Sequence, residues 1–190
     1  MMTITGVYII LLVTVGVGRL LEMRLSNRNR AQLLDSGAQA VTERYFPLMV
    51  SLHIGILVGS LIEVIAFERP FYPLLAIPCF ILFVGCNLLR WWVIRVLGTH
   101  WNVKVMDSTG RGVVTAGPYR YIRHPNYTAV YFELLALPLI YTAWITALLG
   151  GILHIWVLWQ RVQVEESVLL ADSAYRAEMG DKARFIPHLF

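Results

Sequence analysis

The chain is poor in the residue types that mark a soluble domain or a familiar enzyme site. Only 15% of its 190 residues are charged, where a soluble domain carries about a quarter, so a water-exposed globule is excluded. Its two cysteines, Cys79 and Cys86, are seven residues apart in one apolar run. They fall on one face of the same helix, too far along its axis to bridge, and carry no disulfide framework. No His, Cys, Asp or Glu cluster has metal-ligand spacing, so no metal site is expected. Neither G-x-G-x-x-G nor G-x-x-x-x-G-K-[ST] occurs, which excludes a soluble-type dinucleotide or P-loop site. No Ser-His-Asp arrangement, internal repeat or low-complexity tract can be read. Met1-Met2-Thr3 has no basic n-region and Gly16-Val17-Gly18-Arg19 is a poor cleavage sequence, so the first apolar run is expected to be a retained span.

What is abundant is apolar surface. Residues of that kind make up 57% of the chain and the mean hydropathy is +0.62, values of a polytopic membrane protein. The net charge of +4 resides in segments between apolar runs, where Lys and Arg act as topology signals and contacts for anionic lipid headgroups. No nucleic-acid partner is expected.

The runs predict an all-α protein of about five transmembrane helices, a single membrane-embedded domain over 1–190. Residues 1–97 hold three spans: Ile4 to about Leu21, Phe46 to Phe67, and Phe71 to Leu97, with Trp91-Trp92 in an aromatic belt. Arg24 to Arg44 is expected to be a solvated loop with room for an interfacial helix. Residues 98–190 hold a long polar loop to His124, a helical hairpin and a C-terminal segment. Tyr127 to Trp159 is too long for one span, and its turn is near Pro138 to Trp144, which we favour, or at Gly150-Gly151. The last helix is expected to run past Trp159 into an amphipathic stretch, Gln160 to Met179. Five spans put the three basic segments on one side, which the positive-inside rule makes cytoplasmic, with the N-terminus opposite and the C-terminus cytoplasmic.

Polar chemistry concentrates at two membrane boundaries. Gly117-Pro118-Tyr119-Arg120-Tyr121-Ile122-Arg123-His124-Pro125-Asn126-Tyr127 immediately precedes an apolar run. Pro125 suits the first turn of a helix, which holds His124 at its N-terminus, where backbone N–H groups face anions. On the last long helix Arg161 and Glu165 share a face and can pair, while Glu166 points about 100° away. An interfacial ion pair and a ligand clamp both fit this spacing. Glu63 and Glu133 are costly inside a hydrocarbon layer; Glu63 is near enough to its span end to snorkel, and Glu133 is expected to line a cavity.

Gly117-Pro118-Tyr119-Arg120, Arg123-His124-Pro125-Asn126-Tyr127, and Arg161, Glu165-Glu166 and Leu169 together resemble the isoprenylcysteine carboxyl methyltransferase family of integral-membrane, S-adenosylmethionine-dependent enzymes, over about Thr99 to Phe190. The resemblance implies that Gly117, Pro118, Tyr119, Arg123, His124, Pro125 and Tyr127 help form a cofactor pocket. It implies that Arg161, Glu165 and Glu166 close that pocket and face the acceptor. Departures from the family pattern fall at Ala129, where glycine is usual, at Glu133, and at Ala171-Asp172 in place of Phe-Gly.

The expected function is therefore O-methyl transfer from S-adenosylmethionine to a lipophilic acceptor. That acceptor is a prenylcysteine carboxylate, which Arg161 would orient, or a lipid hydroxyl of the phenolic or pyrone type, which needs a base such as Glu133, Glu165 or His124. An NADPH-dependent lipid reductase is the alternative, since such enzymes share Arg-His-Pro-Asn-Tyr, but the Gly-Trp-Trp that precedes it in sterol reductases is replaced by Pro118-Tyr119-Arg120. A non-catalytic lipid-binding scaffold is the third.

Overall fold

In the computed structural model, residues 3–107 and 109–187 are described. Met1 and Met2, on which the retained-span expectation partly rests, and the end of the C-terminal segment lie outside them. The chain forms α1 (Ile4–Asp35), β1 (Gln39–Ala40), α2 (Phe46–Ala66), α3 (Pro73–Leu97), β2 (Met106–Asp107), α4 (Pro125–Leu139), α5 (Trp144–Leu169) and α6 (Ser173–Met179). Proline opens α2, α3 and α4 within the first two positions, where its missing N–H is not needed by the helix.

Among the described residues, four helices, α1, α2, α3 and α5, are long and apolar enough to cross a membrane. The fourth helix has 15 residues, about 22 Å of rise against a hydrocarbon core of about 30 Å. Its end nevertheless reaches the layer where α1 begins and α2 turns into α3: Tyr141 and Thr5 share a hydrogen bond at 2.8 Å, and the Thr142 hydroxyl donates to the Pro70 carbonyl at 2.6 Å. A core of Tyr8, Leu12, Val64, Phe83, Leu137 and Ile140 closes this end. The α4–α5 turn occupies Ile140 to Ala143, within the favoured Pro138–Trp144 region, with the Ala143 N–H returning to the Pro138 carbonyl at 3.0 Å. Val7, Ile10, Val13, Val17 and Leu20 of α1 and Leu148, Ile152, Ile155 and Trp159 of α5 face outward, as a lipid-exposed surface requires.

Three expectations are corrected. The Arg24–Asp35 stretch is not a loop but the continuation of α1, because no Gly or Pro interrupts Glu22 to Ser36. Gly37, at φ +89°, then ends the helix: the N–H groups of Gly37 and Ala38 return to the Leu34 and Leu33 carbonyls at 2.8 and 2.9 Å, a left-handed helix stop. This extension gives a buried polar face to the following segments. Asn29 donates to the Trp101 carbonyl at 2.7 Å, and Ser26 accepts from the Val103 N–H at 2.9 Å.

Glu63 does not snorkel. It is only 4% exposed, accepts from the N–H groups of Ile145 and Thr146 at 3.1 and 2.7 Å, and pairs with Arg69 at 2.8 Å. It thus caps α5 from α2, satisfying N–H groups that the first turn of α5 cannot satisfy itself. The amphipathic stretch to Met179 is also not one helix. Asp172 starts a new one by accepting from the Ala174 N–H at 2.9 Å.

The only regular extended pairing among the described residues is antiparallel, Gln39 with Asp107 and Ala40 with Met106. It ties the segment after α1 to the loop after α3. An isolated parallel bridge joins Ile122 to Ala183 in the tail. The three basic segments therefore meet at one end of the molecule.

Candidate functional site

The site is built where the 98–124 loop lies down on α3 and then enters α4. Gly117, at φ +58°, makes this contact possible: a Cβ there would stand 2.8 Å from Val96 Cγ2 and 3.0 Å from Trp92 Nε1. Gly117 and buried Pro118 thus seat the loop. The tail then fixes its end, since the N–H groups of Arg123 and His124 donate to the Ala183 and Arg184 carbonyls, each at 2.9 Å.

Glu166 of α5 fastens these pieces together. His124 Nε2 lies 3.0 Å from its Oε1, Arg123 Nη1 3.2 Å from the same atom, and Arg184 Nη2 2.8 Å from Oε2. The resulting ion pairing holds the Arg184 guanidinium above its ordinary pKa. The His124 ring stacks on Tyr127 at 5.3 Å, with Phe185 on a second side at 5.9 Å. The end of the loop with the start of α4, and the tail, are therefore both held to α5 by one carboxylate.

One turn back on α5, Arg161 does not pair with Glu165 as the i, i+4 spacing suggests. The Tyr127 hydroxyl stands between them, accepting from Arg161 Nε at 2.6 Å and donating to Glu165. Glu43, just before α2, supplies the counter-ion to Arg161 at 3.0 Å. Arg161 also donates to the Val103 carbonyl. A guanidinium that is 8% exposed takes several donors' worth of partners, and the folding of two loops over α5 provides them.

Two cavities meet at this point. One, of about 150 Å³, is lined by Trp101, Asn102, Lys104, Tyr119, Arg123, His124, Asn126, Tyr127, Arg161, Glu165 and Tyr175, among others. The other, of about 240 Å³, is mainly apolar and lies among α1, α2, α4 and α5, with Arg19, Glu22, His53, Arg90 and His154 on its wall. Trp101, Asn102, Asn126, Tyr127 and Arg161 border both. Burial, with Glu165 nearby, raises the phenols of Tyr119 and Tyr175 above the usual tyrosine range, so both remain neutral hydrogen-bonding groups.

Of the sequence-predicted site residues, Tyr119, Arg123, His124, Tyr127, Arg161 and Glu165 line the first cavity. Glu166 braces it, and Gly117, Pro118 and Pro125 shape the backbone beneath it. Glu133 is not brought to this cluster. It is 1% exposed and sits deeper, bound to Arg19 and 3.8 Å from Arg90 Nε.

A family model described as the isoprenylcysteine carboxyl methyltransferase (ICMT) family matches residues 78–171. The uncharacterized protein YpbQ of Bacillus subtilis is 32% identical over 154 residues, covering 80% of this chain and 90% of that protein. The chain belongs to the isoprenylcysteine carboxyl methyltransferase family. An uncharacterized protein of Haemophilus influenzae is 28% identical over 152 residues, 80% of this chain and 88% of that one. The family is one of membrane methyltransferases whose members in general use S-adenosylmethionine. In this member, sequence reasoning missed Trp101, Asn102, Asn126, Glu43 and Arg184. Asn126 lies inside the Arg-His-Pro-Asn-Tyr run and was open to detection there. Glu43 gave no local signal, because its partner Arg161 is far along the chain.

Proposed function

We propose that this family member is an S-adenosylmethionine-dependent O-methyltransferase whose first cavity takes the cofactor and whose second takes a lipophilic acceptor. The observation that carries the reading is the shared wall: Tyr127, Asn126 and Arg161 face a polar cavity on one side and an apolar one on the other. The fit to the cofactor is supported by polar atoms left over. Trp101 Nε1, Asn102 Oδ1, Arg123 Nε and Asn126 Oδ1 are buried with no partner among the described residues, and all four side chains border the first cavity. Buried groups of this kind are normally satisfied, by a ligand if not by protein. Arg123 and Lys104 suit a carboxylate, while Tyr119, Tyr127, Tyr175 and Glu165 suit a cation.

Bound there, S-adenosylmethionine supplies a methyl group that leaves sulfur as it bonds to the acceptor oxygen, releasing S-adenosylhomocysteine. The protein's part is placement and proton handling. Tyr127, which borders both cavities, is set to take a proton from an acceptor hydroxyl while giving its own to Glu165, with Arg161 fixing the phenol between them. A hydroxyl acceptor is favoured over a prenylcysteine carboxylate, because every arginine on the second cavity is already paired: Arg19 and Arg90 with Glu22, and Arg161 with Glu43. In this reading α4 makes the fifth crossing, the basic end faces the cytosol and admits the cofactor, and the acceptor arrives from the bilayer.

The test is calorimetric binding of S-adenosylhomocysteine and NADPH to the detergent-purified protein and its His124→Ala and Glu166→Ala variants. Micromolar S-adenosylhomocysteine binding that is lost in both variants is expected. Binding of NADPH alone overturns the reading in favour of a reductase, and binding of neither leaves a lipid-binding scaffold.

A further inference from the structure

Arg161 borders the two cavities of the site and also a third, smaller one of about 120 Å³ between the start of α2 and α5. Glu43 lines that third cavity and reaches the guanidinium from there, at 3.0 Å, with its side chain 7% exposed. It therefore acts on the site without standing in the space assigned to the acceptor. Glu43 also lies outside residues 78–171, the part of the chain that matches the family model.

The short sheet is what delivers it. The pairing of Gln39 with Asp107 and Ala40 with Met106 is carried on by the Val41 N–H, which donates to the Val105 carbonyl at 3.3 Å. Two residues further along, the same register sets Glu43 level with Val103. Both then meet Arg161, Glu43 through its carboxylate and Val103 through its carbonyl. Neither is free to swing away: the second carboxylate oxygen of Glu43 accepts from the Val105 N–H at 2.6 Å, and the Val103 N–H is held by Ser26 at 2.9 Å.

Each nitrogen of Arg161 is thus engaged, Nε with the Tyr127 hydroxyl, Nη1 with Glu43 and Nη2 with the Val103 carbonyl. A carboxylate is best gripped by two parallel N–H groups on neighbouring nitrogens, and every such edge here is already occupied by oxygen. Of these direct partners only Glu43 is an ion. A carboxylate brought to Arg161 would share one guanidinium with Glu43, with Glu165 only one hydroxyl away, and two carboxylates on one buried cation leave a negative charge uncompensated. An uncharged hydroxyl carries no such penalty. We propose that Glu43 is a specificity-determining residue: by neutralising and occupying Arg161 it excludes carboxylates from the acceptor cavity, and its removal turns Arg161 into a carboxylate site. The inference rests on the reading of the second cavity as the acceptor site.

The experiment measures binding to the full-length, detergent-purified protein loaded with S-adenosylhomocysteine, at about pH 7, where a carboxylic acid is ionised. The probes are N-acetyl-S-farnesylcysteine and its methyl ester, which differ in headgroup charge. The wild type is expected to bind the acid at least about tenfold more weakly than the ester. Glu43→Gln keeps the length and loses the charge, and Glu43→Ala clears Nη1. In each, the acid is expected to gain at least about tenfold relative to the ester, the effect of one hydrogen bond to a charged group, while ester affinity stays within about threefold. A wild type that binds the acid as tightly as the ester, or binds neither, overturns the inference. So does a variant that binds S-adenosylhomocysteine and keeps the wild-type ratio. If both variants lose S-adenosylhomocysteine, Glu43 is a brace for the fold and not a selector, and the inference falls. Failure of the wild type to bind S-adenosylhomocysteine is the separate failure of the methyltransferase reading.

Discussion

Arg161 donates from Nε to the Tyr127 hydroxyl at 2.6 Å while its guanidinium carbon lies 5.5 Å from the centre of the same ring. Both the face and the tip of the tyrosine are thus held by one residue of the neighbouring helix. The hydroxyl hydrogen has one direction left, toward Glu165. A phenol fixed in this way on a wall between two cavities is a route for a proton from one to the other.

Tyr127→Phe tests that route. The ring and its stack on His124 survive, and only the hydroxyl goes. If the proton passes through Tyr127, kcat for methylation of 5-pentadecylresorcinol falls by about a hundredfold, the low end of general acid–base contributions. S-adenosylhomocysteine affinity should shift by less than about threefold, because the other contacts of the first cavity remain. Parallel kcat and calorimetric measurements check this, and an unchanged kcat removes Tyr127 from the chemistry.

Glu166→Gln is expected to act in the opposite sense. It leaves Arg123 and Arg184 without their carboxylate and loosens the join between loop, α4 and tail. Charge-assisted hydrogen bonds contribute about 1.5–3 kcal/mol each, so S-adenosylhomocysteine should bind at least about tenfold more weakly. The effect on turnover at saturating cofactor should be smaller than that of Tyr127→Phe. Titration calorimetry followed by turnover at saturation separates the two.

The helix pattern of this chain could be read from apolar run lengths and prolines, including the position of the α4–α5 turn, because Pro138 and the limited length of a span act locally. The α1 extension was legible in principle, since Arg24, Arg28 and Arg30 are good helix formers and the first helix stop is Gly37. Their charge suggested solvent instead, and the buried partners Trp101 and Val103 lay far away in sequence. The meeting of His124 with Glu166 could be anticipated only as two motifs facing one ligand. The insertion of Tyr127 between Arg161 and Glu165, and the pairing of Arg161 with Glu43, depend on how three distant segments close over α5, and no periodicity reports that.

Glu133 illustrates the difference between an expensive residue and a reactive one. Its pairing with Arg19, close to Arg90, makes it part of a charge-balanced set, so Glu133→Gln should destabilise the fold by about 3 kcal/mol through the uncompensated arginines. The pH profile of kcat should keep the wild-type shape. A profile that loses its ascending limb would instead make Glu133 the base.

Glu63 supplies a control from the other end of the molecule. It accepts two backbone N–H groups and the Thr146 hydroxyl at 2.7 Å and pairs with Arg69, so it joins α2 to the start of α5 without touching either cavity. Glu63→Ala leaves the first turn of α5 uncapped and Arg69 unpaired. Arg69, at 16% side-chain exposure, can turn partly to water, which keeps the expected cost to about 2–4 kcal/mol. For a chain of this length that is a fall in Tm of roughly 4–16 °C, measurable by thermal unfolding in detergent. Affinity for S-adenosylhomocysteine should stay within about twofold below the transition, because Glu63 and Glu166 sit at opposite ends of α5 and share no partner. A large loss of affinity with an unchanged Tm would mean that the two ends of α5 are coupled, and that the site is held by the helix as a whole rather than by the carboxylate at its foot.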